Sequence, residues 1–258
     1  MKWVAAVSCL VVGCSDAMVE GDAGPAIPDA TMGAMDGSMP MTDASGPCPS
    51  GMAFVRFDGG AACVDLYEGA ILVGEKPWPW YDPIDKVDGA VRAIPAMGIY
   101  PQGYISQVQA AAACAGSGKR LCTLEEWTAA CRGRPDHDFV YPYGNAYDST
   151  ACNEGRESPI VRLFGPNPSY SYQELNDPRC DQLDGGLAKG GDFPKCKSSY
   201  GAVDMHGNLH EWVDDGSFVG GYFVDAKING AGCSYRTTAH AKTYHDYSTG
   251  FRCCADPK

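Results

Sequence analysis

Four of the five histidines, with carboxylates and cysteines among them, fall in the C-terminal part of this chain. Asp204, His206, His210 and Glu211 fall within one short stretch, Cys233 follows alone, and Cys253 and Cys254 stand a few residues before Lys258. Two histidines four apart with a glutamate beside them are one way to build a zinc site, provided that the segment is helical and both rings share a face. Gly207 and Asn208 between them disfavour a helix, and no third ligand has matching spacing, so both are expected to be satisfied loop histidines. His240 and His245 show no metal spacing either. Soft thiolates would suit Cu(I), but Cys233 has no neighbour: from Gly221 to Gly232 there is no cysteine. Cys233 is nonetheless the one candidate for catalytic sulfur. Trp78, Trp80 and Tyr81, interleaved with prolines, could stack on sugar rings, although a packed loop is the preferred reading. Tyr141, Tyr143 and Tyr147 could line a cleft or cover the core. No Ser-His-Asp order or phosphate-cradling glycine loop stands out.

The elements that must hold these groups are short. The segment 106–115 reads as a helix, with Ser106 as N-cap, Gln109 completing a capping box and Gly116 ending it. Residues 123–132 repeat that logic with Thr123, Glu126 and Gly133. Strand-like pieces lie at 52–57, 62–66, 218–224 and 250–254. The long stretch 134–199 has no sustained period, and loops of that length are expected to be functional or pinned by bonds.

Cysteine supplies the pins. Thirteen cysteines in 258 residues fit an oxidising compartment better than a reducing cytosol. The start of the chain agrees: Lys2 precedes an apolar run from Trp3 to Val12, too short to span a bilayer, as in a secretory signal. Val11-Val12-Gly13-Cys14 looks like a bacterial lipobox with Val in place of the usual Leu. The expected organisation is therefore a signal peptide at 1–13 and a lipidated Cys14 opening an acidic tether to 47. A single domain from 48 to 258 follows. Residues 15–47 carry six acids and no Lys or Arg and cannot bury enough surface to order themselves. A flexible chain of that length spans on the order of 30 Å. Its methionines (Met18, Met32, Met35, Met39 and Met41) are soft copper ligands in principle and low-complexity filler by preference. Localisation is expected at the bacterial cell envelope, outer membrane or periplasmic face, with the membrane as partner through the anchor. A net charge of −12 argues against nucleic acid, whose phosphates are bound by Lys and Arg.

Ordered strings along most of the domain resemble the formylglycine-generating enzymes and their sulfatase-modifying-factor relatives. They are the Met52-Ala53-Phe54-Val55 opening with Cys63-Val64-Asp65-Leu66-Tyr67-Glu68, then Lys119-Arg120-Leu121 with Glu125-Glu126-Trp127, then Tyr141-Pro142-Tyr143-Gly144-Asn145. After them come Asp204-Met205-His206-Gly207-Asn208-Leu209-His210-Glu211-Trp212, the Gly220-Gly221 turn, and the tail Gly250-Phe251-Arg252-Cys253. The resemblance implies an α+β fold, the family's variant of the C-type lectin fold, disulfide-rich and poor in regular structure. It also implies a bridge from Cys114 to Cys253 or Cys254, and one from Cys131 to a position near Cys233. Cys48 and Cys63 are read as a local bridge. Cys122 takes whichever of Cys253 and Cys254 is free, and the odd thiol is expected among Cys152, Cys180 and Cys196.

Further implications concern metals. Family members bind calcium in the loop matching 204–211; here Asp204 and Glu211 would give carboxylates, and Gly207 and Leu209 carbonyls. Asp204 stands where relatives often have Asn. The family oxidases hold Cu(I) on a cysteine pair after a Gly-Gly-Ser turn and use O₂ to convert a substrate cysteine to formylglycine. In this chain Tyr222 replaces the Ser and the pair is missing. The expectation is therefore a module that binds a ligand, glycan or protein and lacks the copper-cysteine site. The alternative is a formylglycine-generating oxidoreductase using copper and O₂.

Overall fold

The opening hairpin is set by alternation. In β1 (Met52–Phe57) Ala53 and Val55 are buried while Arg56 is exposed, and the strand turns through Asp58 and Gly59 into β2 (Gly60–Asp65). Period-two burial of this kind fixes which face meets the core. The computed structural model describes residues 46–84 and 90–258, all within one compact unit, Asp43–Lys258. The expected signal at 1–13, the lipidated Cys14 and the tether up to residue 45 lie outside the described residues.

Three small sheets follow the chain. β3 (Gly69–Val73) pairs with β4 (Lys76–Pro77) and β5 (Val91–Pro95). Helix α1 (Gln107–Gly116) is capped by Ser106 and Gln109 in a reciprocal box, and buries Ala110, Ala113 and Cys114. β6 (Arg120–Leu121) then leads to α2 (Leu124–Arg132), whose box is made by Thr123 and Glu126 and whose buried face is Trp127, Ala130 and Cys131. Each satisfied cap is worth about 1 kcal/mol, and α2 turns that cap to a second use. Glu126 also takes two hydrogen bonds from the Arg120 guanidinium, at 2.7 and 2.6 Å.

Between α2 and the C-terminal third, α3 (Pro159–Phe164) and α4 (Tyr172–Leu175) are single turns or little more. The C-terminal strands are β7 (His210–Trp212), β8 (Phe218–Val219), β9 (Arg236–Thr237), β10 (Thr249–Phe251) and β11 (Cys253–Ala255). One sheet runs β1-β2-β11-β6 and another β10-β7-β8-β9, with β10 parallel to β7.

Two strand expectations need correction. The piece expected at 218–224 ends at Val219, because Gly220 and Gly221 both take left-handed φ values of 83° and 73°. The piece expected at 250–254 splits at Arg252. Phe251 pairs with Trp212 in one sheet, Cys253 with Leu121 in the other, and the arginine between them turns into the interior. The described residues also hold α1 one residue longer than expected, through Gly116 to a cap at Ser117.

Sulfur ties these pieces together. Cys114 is bonded to Cys253 and Cys122 to Cys254, fastening both helix regions to the tail. Cys48 joins Cys63 on the opening hairpin, Cys131 joins Cys233, and Cys152 joins Cys196 inside the long irregular stretch. Cys180 is the free cysteine among the described residues, and it is buried.

Candidate functional site

The loop from Asp204 to Glu211 is shaped by backbone conformations that most residues avoid. Asp204 and Asn208 both sit at φ 58° and Gly207 at 78°, a region open to Gly and tolerated by Asn and Asp. A Cβ on Gly207 would meet the Asn153 carbonyl at 2.2 Å, so glycine is required there. Asn208 is wired on both sides: its Nδ2 donates to Glu68 at 2.5 Å and its Oδ1 accepts from Asn153 at 2.9 Å. The Leu209 N–H donates to the other Glu68 oxygen at 3.1 Å.

Behind the loop lies a buried ion pair. Arg252 donates through Nε and Nη2 to the two oxygens of Glu211 at 2.7 and 2.6 Å, and through Nη1 and Nη2 to the carbonyls of Asp65 and Val203, both at 2.9 Å. Trp127 Nε1 adds a bond to Glu211 at 2.7 Å. Glu68, Asp204 and Glu211 thus share one buried guanidinium. Burial, with repulsion from Asp204 and Glu211, holds the Glu68 carboxyl well above the usual range. Burial pushes Asp204 up to about 6. Calcium fits the charge of this loop and not the geometry of Glu211. A hard dication favours such an acid excess, yet both Glu211 oxygens are engaged by Arg252 and Trp127. Asp204 Oδ2 accepts from the Gly191 N–H at 2.8 Å. Among the described residues no group of three or more His, Cys, Asp or Glu is placed to hold a metal ion.

Cys233 follows the Gly220-Gly221 turn, in a short 3₁₀ turn (Gly232–Ser234) whose N–H groups bond inward, Cys233 to Val140 at 2.8 Å. Its sulfur is spent on Cys131. The thiol of Cys180 is pushed up to about 12 by burial and by the nearby acids Asp181 and Asp177, so it is not a thiolate at neutral pH. The space beside the turn is filled by rings: Tyr222 packs on His210 with centroids 4.7 Å apart. His210 is held by Ser248 at 3.2 Å and Tyr235 at 3.1 Å, and burial pushes its pKa down to about 3, which keeps it neutral. His210 is therefore a satisfied core histidine. His206 is also fully buried; its Nε2 stands within ion-pair distance of Glu154 Oε2, 3.5 Å away, and neither ring nitrogen makes a further hydrogen bond among the described residues.

The aromatic residues separate into two places. Tyr141 and Tyr143 stack at 5.4 Å, and Tyr141 meets the His206 ring edge-on, also at 5.4 Å. Tyr147 is partly exposed and receives the Lys227 ammonium. On another face Trp80 stacks on Tyr100 at 4.5 Å and meets Tyr81 edge-on at 5.0 Å. Trp78, Trp80, Tyr81 and Tyr100 line an open cleft of about 570 Å³.

The family description "Sulfatase-modifying factor enzyme 1-like domain" matches residues 85–257. The chain belongs to this sulfatase-modifying factor family. Two curated relatives are inactive C-alpha-formylglycine-generating enzyme 2 of mouse (Mus musculus) and cattle (Bos taurus), 29% and 28% identical over 196 residues. The match covers 68% of this chain and 57% and 58% of theirs, so the chain spans a little over half the length of these relatives. Among solved structures, PvdO from Pseudomonas aeruginosa is similar with a TM-score of 0.45 and 14% identity, covering 80% of this chain and 90% of that one. The fold is the family's C-type-lectin-like α+β arrangement, cross-linked by disulfides.

Gly220 and Gly221 both take left-handed φ values at the turn, and the chain after it carries Tyr222, Phe223 and Asp225 and no thiol before Cys233. Sequence reasoning missed several residues that now matter. Glu68 lay inside a quoted string, but its burial beside Asp204 and Glu211 needed the fold. Tyr100 and Lys189 reach the Trp80 cleft from separate loops, and no spacing announces them. Asp181, beside the free cysteine, gave no signal at all.

Proposed function

We propose that this sulfatase-modifying-factor domain is an exported, lipid-anchored binding module for a ligand, glycan or protein, without the copper-cysteine oxidase site of the formylglycine-generating enzymes. The observation that carries this reading is the bond between Cys131 and Cys233, in a chain with no cysteine between the glycine turn and Cys233. Cu(I) is held by soft thiolates, and a disulfide sulfur is not one. The names of the mouse and bovine relatives, which call those proteins inactive, support the same direction. Tyr222, which stands where the family oxidases carry Ser, packs on His210. The anchor at Cys14 and an envelope location belong to the proposal on sequence grounds alone; calcium at the loop of Asp204, Gly207 and Leu209 is likewise a sequence reading, and Glu211 could join it only by leaving Arg252 and Trp127.

The test is incubation of the purified chain with a Cys-x-Pro-x-Arg peptide, copper and O₂, followed by mass spectrometry for the aldehyde. No conversion above a protein-free control is expected. Aldehyde formed in proportion to protein would establish the oxidoreductase alternative and end this reading.

A further inference from the structure

The cleft beside Trp80 combines aromatic walls with a lysine. Its volume of about 570 Å³ lies in the range of small-molecule sites. Its walls are Trp78, Trp80, Tyr81 and Tyr100 with the exposed Ile99, and Lys189 is the one charged residue among the described residues that line it. The Lys189 ammonium lies 5.5 Å from the centroid of the Tyr100 ring, and no carboxylate among the described residues pairs with it. In a chain of net charge −12, a cation over an aromatic wall with no carboxylate partner among the described residues is a directional feature.

Sugar and aromatic ligands make different demands on such walls. A pyranose stacks one face on an aromatic ring but brings several hydroxyls, each costly to bury without a partner. The cleft has few donors left to offer them. The indole N–H of Trp78 donates to the Asp82 carbonyl at 2.8 Å, and that of Trp80 to the Asp181 carbonyl at 3.4 Å. What remains is carbon surface, phenol hydroxyls and one ammonium. An aromatic ring gains offset or edge-on contact from each wall, and a single acid group on it would meet Lys189 in a charge-assisted bond.

We propose that this cleft binds a small aromatic carboxylate, its ring against Trp80 and Tyr100 and its acid group at Lys189. The proposal deepens the binding-module reading by naming a ligand class. It stands apart from it in the test, since the aldehyde assay does not probe this face.

The experiment is a ligand-observed NMR titration of the full chain with 2-naphthylacetate, its neutral amide and methyl β-glucoside. The acid is expected to bind about tenfold more tightly than the amide, with the glucoside weakest. Lys189→Gln should weaken the acid about tenfold and leave the amide unchanged. Ile99→Glu, at a side chain 42% exposed, should weaken it similarly by setting a carboxylate at the mouth. Both substitutions are at the surface and should leave the thermal midpoint in place. Tightest binding by the glucoside, equal binding of acid and amide, or acid binding indifferent to Lys189→Gln would each overturn the assignment, as would no binding of the acid.

Discussion

Two polar centres are buried to the same depth in this domain and are treated in opposite ways. At Arg252 the buried pair is answered: the guanidinium reaches Glu211 twice and two carbonyls besides, and Trp127 completes Glu211. At Asp181 nothing among the described residues answers: the side chain is 3% exposed and neither carboxylate oxygen has a hydrogen-bond partner. Burial, with repulsion from Asp246, holds that carboxyl well above its ordinary range. The difference shows where polar burial organises the fold and where it is carried as a cost. Arg252 is the crossing point of two sheets, because Phe251 pairs in one and Cys253 in the other. A long side chain turned inward at that crossing gives the family loop something to close on.

The largest effect should follow from removing the answered cation. Arg252→Met leaves Glu211, Glu68 and Asp204 buried without a counter-charge. Stripping one member from a buried pair costs about 3–5 kcal/mol, a large share of the stability of an ordinary domain. Urea unfolding should show a loss of unfolding free energy of that size, read as a lower midpoint at unchanged m. The double variant Arg252→Met with Glu211→Gln should recover part of the loss, as coupled neighbours do. A loss below about 1 kcal/mol for the single variant would mean that the pair is not what joins the sheets.

Calcium tests the same centre from the other side. Glu68, Asp204 and Glu211 outnumber Arg252, and burial first, with mutual repulsion behind it, raises the pKa values of Glu68 and Asp204. If the loop takes the ion, calcium at tenfold its dissociation constant should stabilise the fold by about 1.4 kcal/mol relative to a chelated sample. The gain should shrink as pH falls through about 6, where protons occupy Asp204. A thermal midpoint indifferent to calcium at pH 7 would assign the whole job of charge balance to Arg252.

How much of this was legible in the sequence depends on the range of the forces involved. Capping is local, so Ser106 with Gln109 and Thr123 with Glu126 announced both main helices to within a residue. Strand ends were less legible. The break at Gly220 is set by φ values that glycine permits but does not require, and the break at Arg252 by a partner, Glu211, on another strand. The family strings marked where Asp204, Glu211 and Arg252 stand, yet not that Arg252 would occupy both oxygens of Glu211. The aromatic run 78–81 was visible as composition. Its role as a cleft wall depends on Tyr100 and Lys189, brought in by tertiary packing.

Asp181 offers the smallest shift and the opposite sign. Because its folded pKa is raised, the native state keeps a proton that the unfolded chain releases above about 3.9. Stability at this group is therefore unpenalised in acid and declines as pH rises from there toward the folded value. Asp181→Asn keeps the shape and removes the charge, so the decline should be absent in the variant. The buried amide still lacks partners and offsets some of the gain, leaving a net stabilisation of about 1 kcal/mol at pH 7. Thermal midpoints of the two proteins should nearly coincide near pH 4 and separate in favour of the variant by pH 7. A variant that is less stable at pH 7 would show that the ionised carboxylate has a partner, and the contrast with Arg252 would then fail.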